Sequence, residues 1–125
     1  ILDEPTVGLD GLGIKKVMER IKRLNEKGTT IIMVCHDMEI VADYAQRVIV
    51  MSNGSIVDDG ETFDIFRRGH TIEKADLIPS QIVEISTQLA RRSSVLSQSR
   101  IARANTLEEM RDALTEQLMY KGGER

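Results

Sequence analysis

Apolar positions in the first sixty residues follow two different rhythms. Ile14, Val17, Met18, Ile21 and Leu24 recur at helical spacing, while Lys15, Lys16, Glu19, Lys22, Arg23 and Glu26 take the opposite side. That pattern predicts an amphipathic helix from about Leu12 to Lys27, stopped by Gly28 as a C-cap. Thr29 to Cys35 behaves differently: it is β-branched, almost uniformly apolar and without alternation. Such a run fits a parallel strand covered on both faces, and Ile1-Leu2 reads as the end of another. Asp37 is placed to cap a short helix, Met38 to Ala45, with Ile40, Val41 and Tyr44 facing inward. In "RVIVMSNGSIVDDG", Val48–Met51 should pair with Ser55–Val57 across Asn53-Gly54, a dipeptide that tolerates the positive φ of a tight turn. Strand, helix, strand, helix and hairpin together predict an α/β fold with a mainly parallel sheet.

The rhythm changes after Gly60. Residues 61–125 hold no convincing strand and read as a helical C-terminal extension to the unit formed by residues 1–60. Pro79 suits a first helical position, and Ile82, Ile85 and Leu89 continue one face toward Arg91-Arg92. Residues 93–105 read as a polar connector. "TLEE" from Thr106 to Glu109 matches a capping box, followed by an apolar stripe of Leu107, Met110, Leu114 and Leu118 that Gly122 ends. No internal repeat is present.

Composition narrows the class. At 125 residues the chain is one domain in size, and 41% apolar with 30% charged residues is a globular balance, not a disordered one. A formal charge of -3 argues against a nucleic-acid surface over the whole chain. Arg91, Arg92, Arg100 and Arg103 read as a solvated face, since no aromatics interleave them. The single Cys35 cannot form an intramolecular disulfide, so a reducing compartment is the default. No stretch approaches the roughly 18 apolar residues of a membrane helix, so a membrane role would go through a partner. The chain starts inside an apolar run without an initiator Met and reads as the C-terminal part of a longer protein.

Chemistry concentrates at two strand ends. In open α/β sheets, ligands bind beyond the carboxyl ends of the strands, and Asp3-Glu4 and His36 each lie just past a predicted buried strand. If those strands are neighbours, the three groups converge. Strand alternation would send Asp3 and Glu4 to opposite sides and give them separate roles. An acid at a strand end suits Mg²⁺, which prefers oxygen ligands and keeps several waters. The second acid could orient or deprotonate a water attacking a phosphate, help worth about 10²–10⁴ in rate. His36 could hydrogen-bond a terminal phosphate, or could simply fill the strand end beside Asp37's helix.

"ILDEPTVGLD" resembles the Walker B motif and D-loop of ABC-type ATPases, and "IIMVCHD" resembles their switch-histidine strand. His36 lies 32 residues after Glu4, the interval that family shows, and "RVIVMSNGSIVDDG" resembles the hairpin that comes next there. The resemblance implies the C-terminal part of a P-loop NTPase domain with ATP and Mg²⁺ as cofactors. Asp3 would then hold the metal, usually through water, Glu4 would be the catalytic base or water-polarising residue, and His36 would contact the γ-phosphate. Asp10 would sit at a dimer interface coupling two ATP sites, with a helix N-cap as its structural alternative; Gly8 reads as a turn residue. Gly11 stands where the family commonly has Pro, which should loosen the helix start. No G-x-x-x-x-G-K-[ST] loop, signature sequence or glutamine loop occurs in the 125 residues, so the chain alone is expected to bind ATP poorly.

"GETFDIFRRG", "LIPSQIVEISTQLARR" and "TLEEMRDAL" are similar to the C-terminal extension of energy-coupling factor (ECF) ATPases, with Leu77, Pro79, Gln81-Ile82 and Thr106 to Glu109 in matching order. That likeness implies an ATPase subunit at the cytoplasmic face of the membrane, partnered by a second ATPase subunit and by integral membrane subunits, driving uptake of a metal ion or vitamin. The tail helices would then either dimerise or pack on their own domain. Alternatives are a subunit of another ABC importer, a soluble ABC-type ATPase acting on nucleic acid or ribosomes, and an inert interaction module.

Overall fold

Asp10 starts the first helix. Its backbone is extended (φ -74°, ψ 168°) and its carboxylate accepts the Gly13 N–H at 2.7 Å, satisfying one of the amides that a helix start leaves free. The computed structural model describes residues 1–122. In chain order the elements are β1 (Leu2–Asp3), α1 (Gly11–Glu26), β2 (Met33–Val34), α2 (Met38–Tyr44), β3 (Arg47–Ser52) and β4 (Ser55–Glu61). The tail consists of α3 (Thr62–Arg67), α4 (Gly69–Lys74), α5 (Gln81–Arg92), α6 (Ser94–Ser97), a 3₁₀ turn (Arg100–Arg103) and α7 (Leu107–Gly122).

Local signals act as their chemistry requires. Gly28 ends α1 at φ +93°, with its N–H on the Asn25 carbonyl and the Thr29 N–H on Leu24, closing the last turn. Asp37 caps α2 by accepting from the Glu39 and Ile40 amides. Asn53 and Gly54 take φ +50° and +74°, the two positive values a tight hairpin turn needs. Thr106 and Glu109 form the reciprocal capping box, and Glu109 also takes the Asn105 N–H at 2.7 Å.

The sheet is smaller than expected. β1 and β2 pair in parallel over two residues each, whereas β3 and β4 form a separate and longer antiparallel pair with an irregularity between Val50 and Met51. The run Thr29–Cys35 is therefore strand only at Met33–Val34, and its two-faced burial is not reached. Ile1 is 93% exposed, Ile32 57% and Val34 55%, because two short strands among the described residues have no sheet neighbours and no layer on both faces.

Burial is achieved instead around the tail. One cluster joins Val41 and Ala42 of α2 to Phe66, Ile72 and Val83, with Met38, Val48 and Leu77 against it. A second joins Ile101, Ala104, Met110 and Ala113, with Ile82, Leu89 and Leu96 packed on it. Helix α5 thus serves both, Val83 on one side and Ile82 and Leu89 on the other. Four features of the tail depart from the sequence pattern. Ser80, not Pro79, sets the start of α5, its hydroxyl accepting the Val83 N–H. Val83 and Ser86 are the buried positions of α5, while Ile85 is about half exposed. Residues 93–105 are no polar connector: they carry α6 and the 3₁₀ turn, whose Ile101 and Ala102 are buried together with Ala104. In α7, Met110 and Ala113 go inward, whereas Leu107, Leu114 and Leu118 remain exposed.

The hairpin is fastened to the tail through Asp58. Its carboxylate accepts from Arg68 Nη1 at 2.6 Å and from the fully buried Thr71 hydroxyl at 2.5 Å. The Thr71 hydroxyl, and with it the Asp59 amide and Arg68, hold the Asp58 carboxyl below its usual range. A depressed pKa contributes stability that is present above the unfolded value of about 3.9 and is lost as pH falls through the lower folded value. Asp58→Asn should lower the melting temperature by several degrees at pH 7, with the gap to wild type closing in acid; a gap constant with pH would contradict this ion-dipole role. Thr106→Ala should cost α7 about 1 kcal/mol, read from native-state hydrogen exchange of its first turn.

Candidate active site

The parallel register decides the geometry. Leu2 stands opposite Met33 and Asp3 opposite Val34, with the Leu2 N–H on the Ile32 carbonyl at 2.8 Å and the Glu4 N–H on the Val34 carbonyl at 3.0 Å. Two adjacent parallel strands therefore reach the same carboxyl edge together, and the residues just past Asp3 lie beside those just past Val34. Glu4 and His36 are among them. Glu4 Oε1 and His36 Nδ1 are 2.5 Å apart.

Glu4 leaves the strand in a left-handed conformation, φ +44°. For a residue with a side chain this costs on the order of 1–2 kcal/mol, and such conformations concentrate where geometry serves a site. It is held by the hydrogen bond that the Glu4 N–H donates to the Val34 carbonyl and by the Val7 N–H, which donates to the Glu4 carbonyl at 3.2 Å. The alternation expected to separate Asp3 from Glu4 therefore stops at Asp3, because the backbone turns rather than continuing as strand.

The Glu4 side chain is largely covered while His36 is exposed (29% against 78%). An ionised carboxylate only accepts, so Nδ1 must carry the proton in this pair. That leaves Nε2 facing away: an acceptor in the neutral ring, a donor only in the imidazolium. The hydrogen bond to Glu4, and after it the Glu4 charge, raises the His36 pKa above the ordinary 6.5 and so favours the donating form.

Asp3 is exposed at the strand end, and no hydrogen bond or ion pair ties it to Glu4 or His36 among the described residues. Nor do three or more His, Cys, Asp or Glu side chains gather as a metal nest there. A single hard oxygen donor with open access is nevertheless the chemistry that a largely hydrated Mg²⁺ accepts. Asp10 is engaged as the α1 cap. Adding a Cβ at Gly13 would bring it within 3.0 Å of that capping oxygen, so the glycine keeps the cap seated. No pattern in the chain points to Glu39, whose Oε1 accepts the Gln81 N–H at 2.8 Å and joins α2 to the start of α5; the partners are 42 residues apart, beyond any local motif.

Raised by its carboxylate partner, the His36 charge contributes fully below about 6.5 and is lost as pH rises through the higher folded value. A titration of the His36 ring monitored by NMR should give a midpoint above 6.5, and Glu4→Gln should return it toward 6.5. An identical midpoint in the variant would rule out the pairing in solution. Asp10→Ala should weaken α1 by about 1 kcal/mol, visible as faster amide exchange at its N-terminus.

No family model matches the chain, but individual relatives do. It is 47% identical over 91 residues to an ABC transporter ATP-binding protein of Caldanaerobacter subterraneus, covering 73% of this chain and 16% of that protein. Over 117 residues it is 40% identical to the energy-coupling factor transporter ATP-binding protein EcfA2 of Clostridium perfringens, covering 93% of this chain and 40% of that one. With EcfA of Methanocaldococcus jannaschii it shares 38% over 95 residues, 76% of this chain and 34% of the relative. The chain thus spans between a sixth and two fifths of the length of these relatives. By homology across most of its residues, it is related to the ABC transporter ATP-binding proteins, those of the energy-coupling factor type among them.

Proposed function

We propose that this chain is part of an ATP-hydrolysing subunit that powers a membrane importer of the energy-coupling factor type. The observation that carries the reading is the Glu4–His36 pair at the shared edge of two parallel strands. Glu4 is the group that polarises or deprotonates the attacking water, and His36 presents Nε2 to the terminal phosphate. Asp3 would hold Mg²⁺ through water, and the metal would neutralise charge on the phosphates when bound. Phosphoryl transfer depends mostly on positioning and charge stabilisation, so these residues need a phosphate-cradling loop, which the 125 residues lack, and a second subunit facing them.

The relatives' names support a transporter role, and the tail resemblance supports an importer of metal ions or vitamins. The partners in this reading are a second ATPase subunit, equal or paralogous, and integral membrane subunits. None of the described helices is long and apolar enough to cross a membrane, which fits a peripheral attachment at the cytoplasmic face. Asp10 at the subunit interface, and the exposed Leu107, Leu114, Leu118 and Met119 of α7 as a dimer contact, belong to the same proposal.

In the full-length protein, Glu4→Gln should keep ATP binding, accumulate the ATP-bound dimer and slow hydrolysis by about a hundredfold or more, the range of a lost general base. Hydrolysis within about threefold of wild type would remove Glu4 from this role. Uptake of labelled cobalt, nickel or a vitamin by cells expressing the complete transporter decides the cargo class.

A further inference from the structure

The chain carries a net negative charge, yet three arginines meet in one place. A cleft of about 540 Å³ lies between α3, α5 and the 3₁₀ turn, with Phe63, Arg67, Thr87, Arg91, Ser97 and Arg103 among its walls. Arg67 is the deepest. Its guanidinium stacks over the Phe63 ring at 3.9 Å and donates to the Phe63, Ala102 and Ala104 carbonyls, to Asn105 Oδ1 and to Ser86 Oγ. Every one of those partners is neutral. The Arg103 guanidinium lies 5.5 Å from the same ring centroid.

Counter-charge is what the cleft lacks. Arg23, Arg47, Arg68, Arg100 and Arg111 each have a carboxylate within 4.0 Å. Among the described residues, Arg67, Arg91 and Arg103 have none at that distance. The nearest acids, Glu109 and Asp64, act on Arg67 only from farther off, and Glu109 is committed to capping α7. Burial above all, and the Arg103 charge to a smaller degree, press against the protonated form of Arg67. The wall also holds a buried hydroxyl, that of Thr87, with no hydrogen-bond partner among the described residues, and helical threonine has two accessible χ1 positions through which to offer it.

We propose that this cleft is an oxyanion site that takes the phosphate group of a small soluble molecule. A phosphate dianion matches more than one guanidinium, and arginine's planar fork binds it through paired, charge-assisted hydrogen bonds. Arg91 and Arg103, exposed and free of ion pairs among the described residues, supply the donors, Arg67 supplies fixed positive charge, and Thr87 adds a neutral donor. The volume exceeds what a bare phosphate fills and leaves room for the remainder of an ester.

The test is calorimetric titration of the full-length protein, its nucleotide site saturated with a non-hydrolysable ATP analogue, so that loss of either site is seen separately. Inorganic phosphate and glycerol phosphate are compared with acetate at constant ionic strength. Phosphate should bind, and Arg91→Gln with Arg103→Gln should weaken it about tenfold or more. Thr87→Val should weaken it by about threefold while leaving the melting temperature unchanged or higher, since it removes a hydroxyl without a partner; a merely structural threonine would leave phosphate affinity untouched. Tighter binding of glycerol phosphate identifies an ester as the occupant, and equal binding identifies the free ion. Unchanged phosphate affinity in the arginine variant, tested singly at Arg91 should the double variant fold poorly, would overturn the site. So would acetate binding as tightly as phosphate.

Discussion

Four residues of parallel pairing carry the geometry of the candidate site. Leu2-Asp3 against Met33-Val34 is too short to bury much surface, but its register dictates where the next residues of both strands emerge. The amide of Glu4 is tied to the last carbonyl of the neighbouring strand, so the carboxylate must emerge next to the ring two residues beyond that carbonyl. A slip of one residue would turn the strand's side chains to the other face and part the pair. The left-handed turn at Glu4 is the conformational cost of aiming the acid sideways instead of along the strand.

The features of this fold that can be read from sequence are mostly those that a few neighbouring residues settle among themselves. Asp10, Asp37, the Asn53-Gly54 turn, the end of α1 at Gly28 and the Thr106–Glu109 box all involve hydrogen bonds within two to five residues, and their residue types name them. Convergence of Glu4 and His36 was legible for another reason: chemistry at the ends of two apolar runs suggests a common edge. The strand length of Thr29–Cys35 was not legible, because apolar content reports a preference for burial and not whether covering layers stand opposite. Residues 93–105 misled for the converse reason. Their serines and arginines mask Ile101, Ala102 and Ala104, whose burial depends on α5 and α7 packing from either side.

The tail is anchored by polar groups as much as by apolar ones. Thr62, Thr71, Ser80 and Ser86 are all buried, and each hydroxyl has a partner: the Ala45 carbonyl, Asp58, the Val83 amide and the Val83 carbonyl. Buried polar groups that are satisfied fix direction more than they add stability. Thr71 ties α4 to the hairpin and Thr62 ties the start of α3 to the chain before it, while the two serine bonds stay within the first turns of α5; Arg67 joins α3 to the turn before α7 through the Ala102 and Ala104 carbonyls.

The bond from Glu39 to the Gln81 amide closes a short mechanical chain. His36 and Glu39 are separated only by Asp37, the cap of α2, and Met38, and Glu39 reaches the first amide of α5. A carboxylate at a helix N-terminus also sits where the helix dipole favours negative charge. Any rotation of α2 that moves the imidazole toward or away from its carboxylate must either drag the foot of α5 along or release it, so the tail is geared to the histidine, not appended behind it.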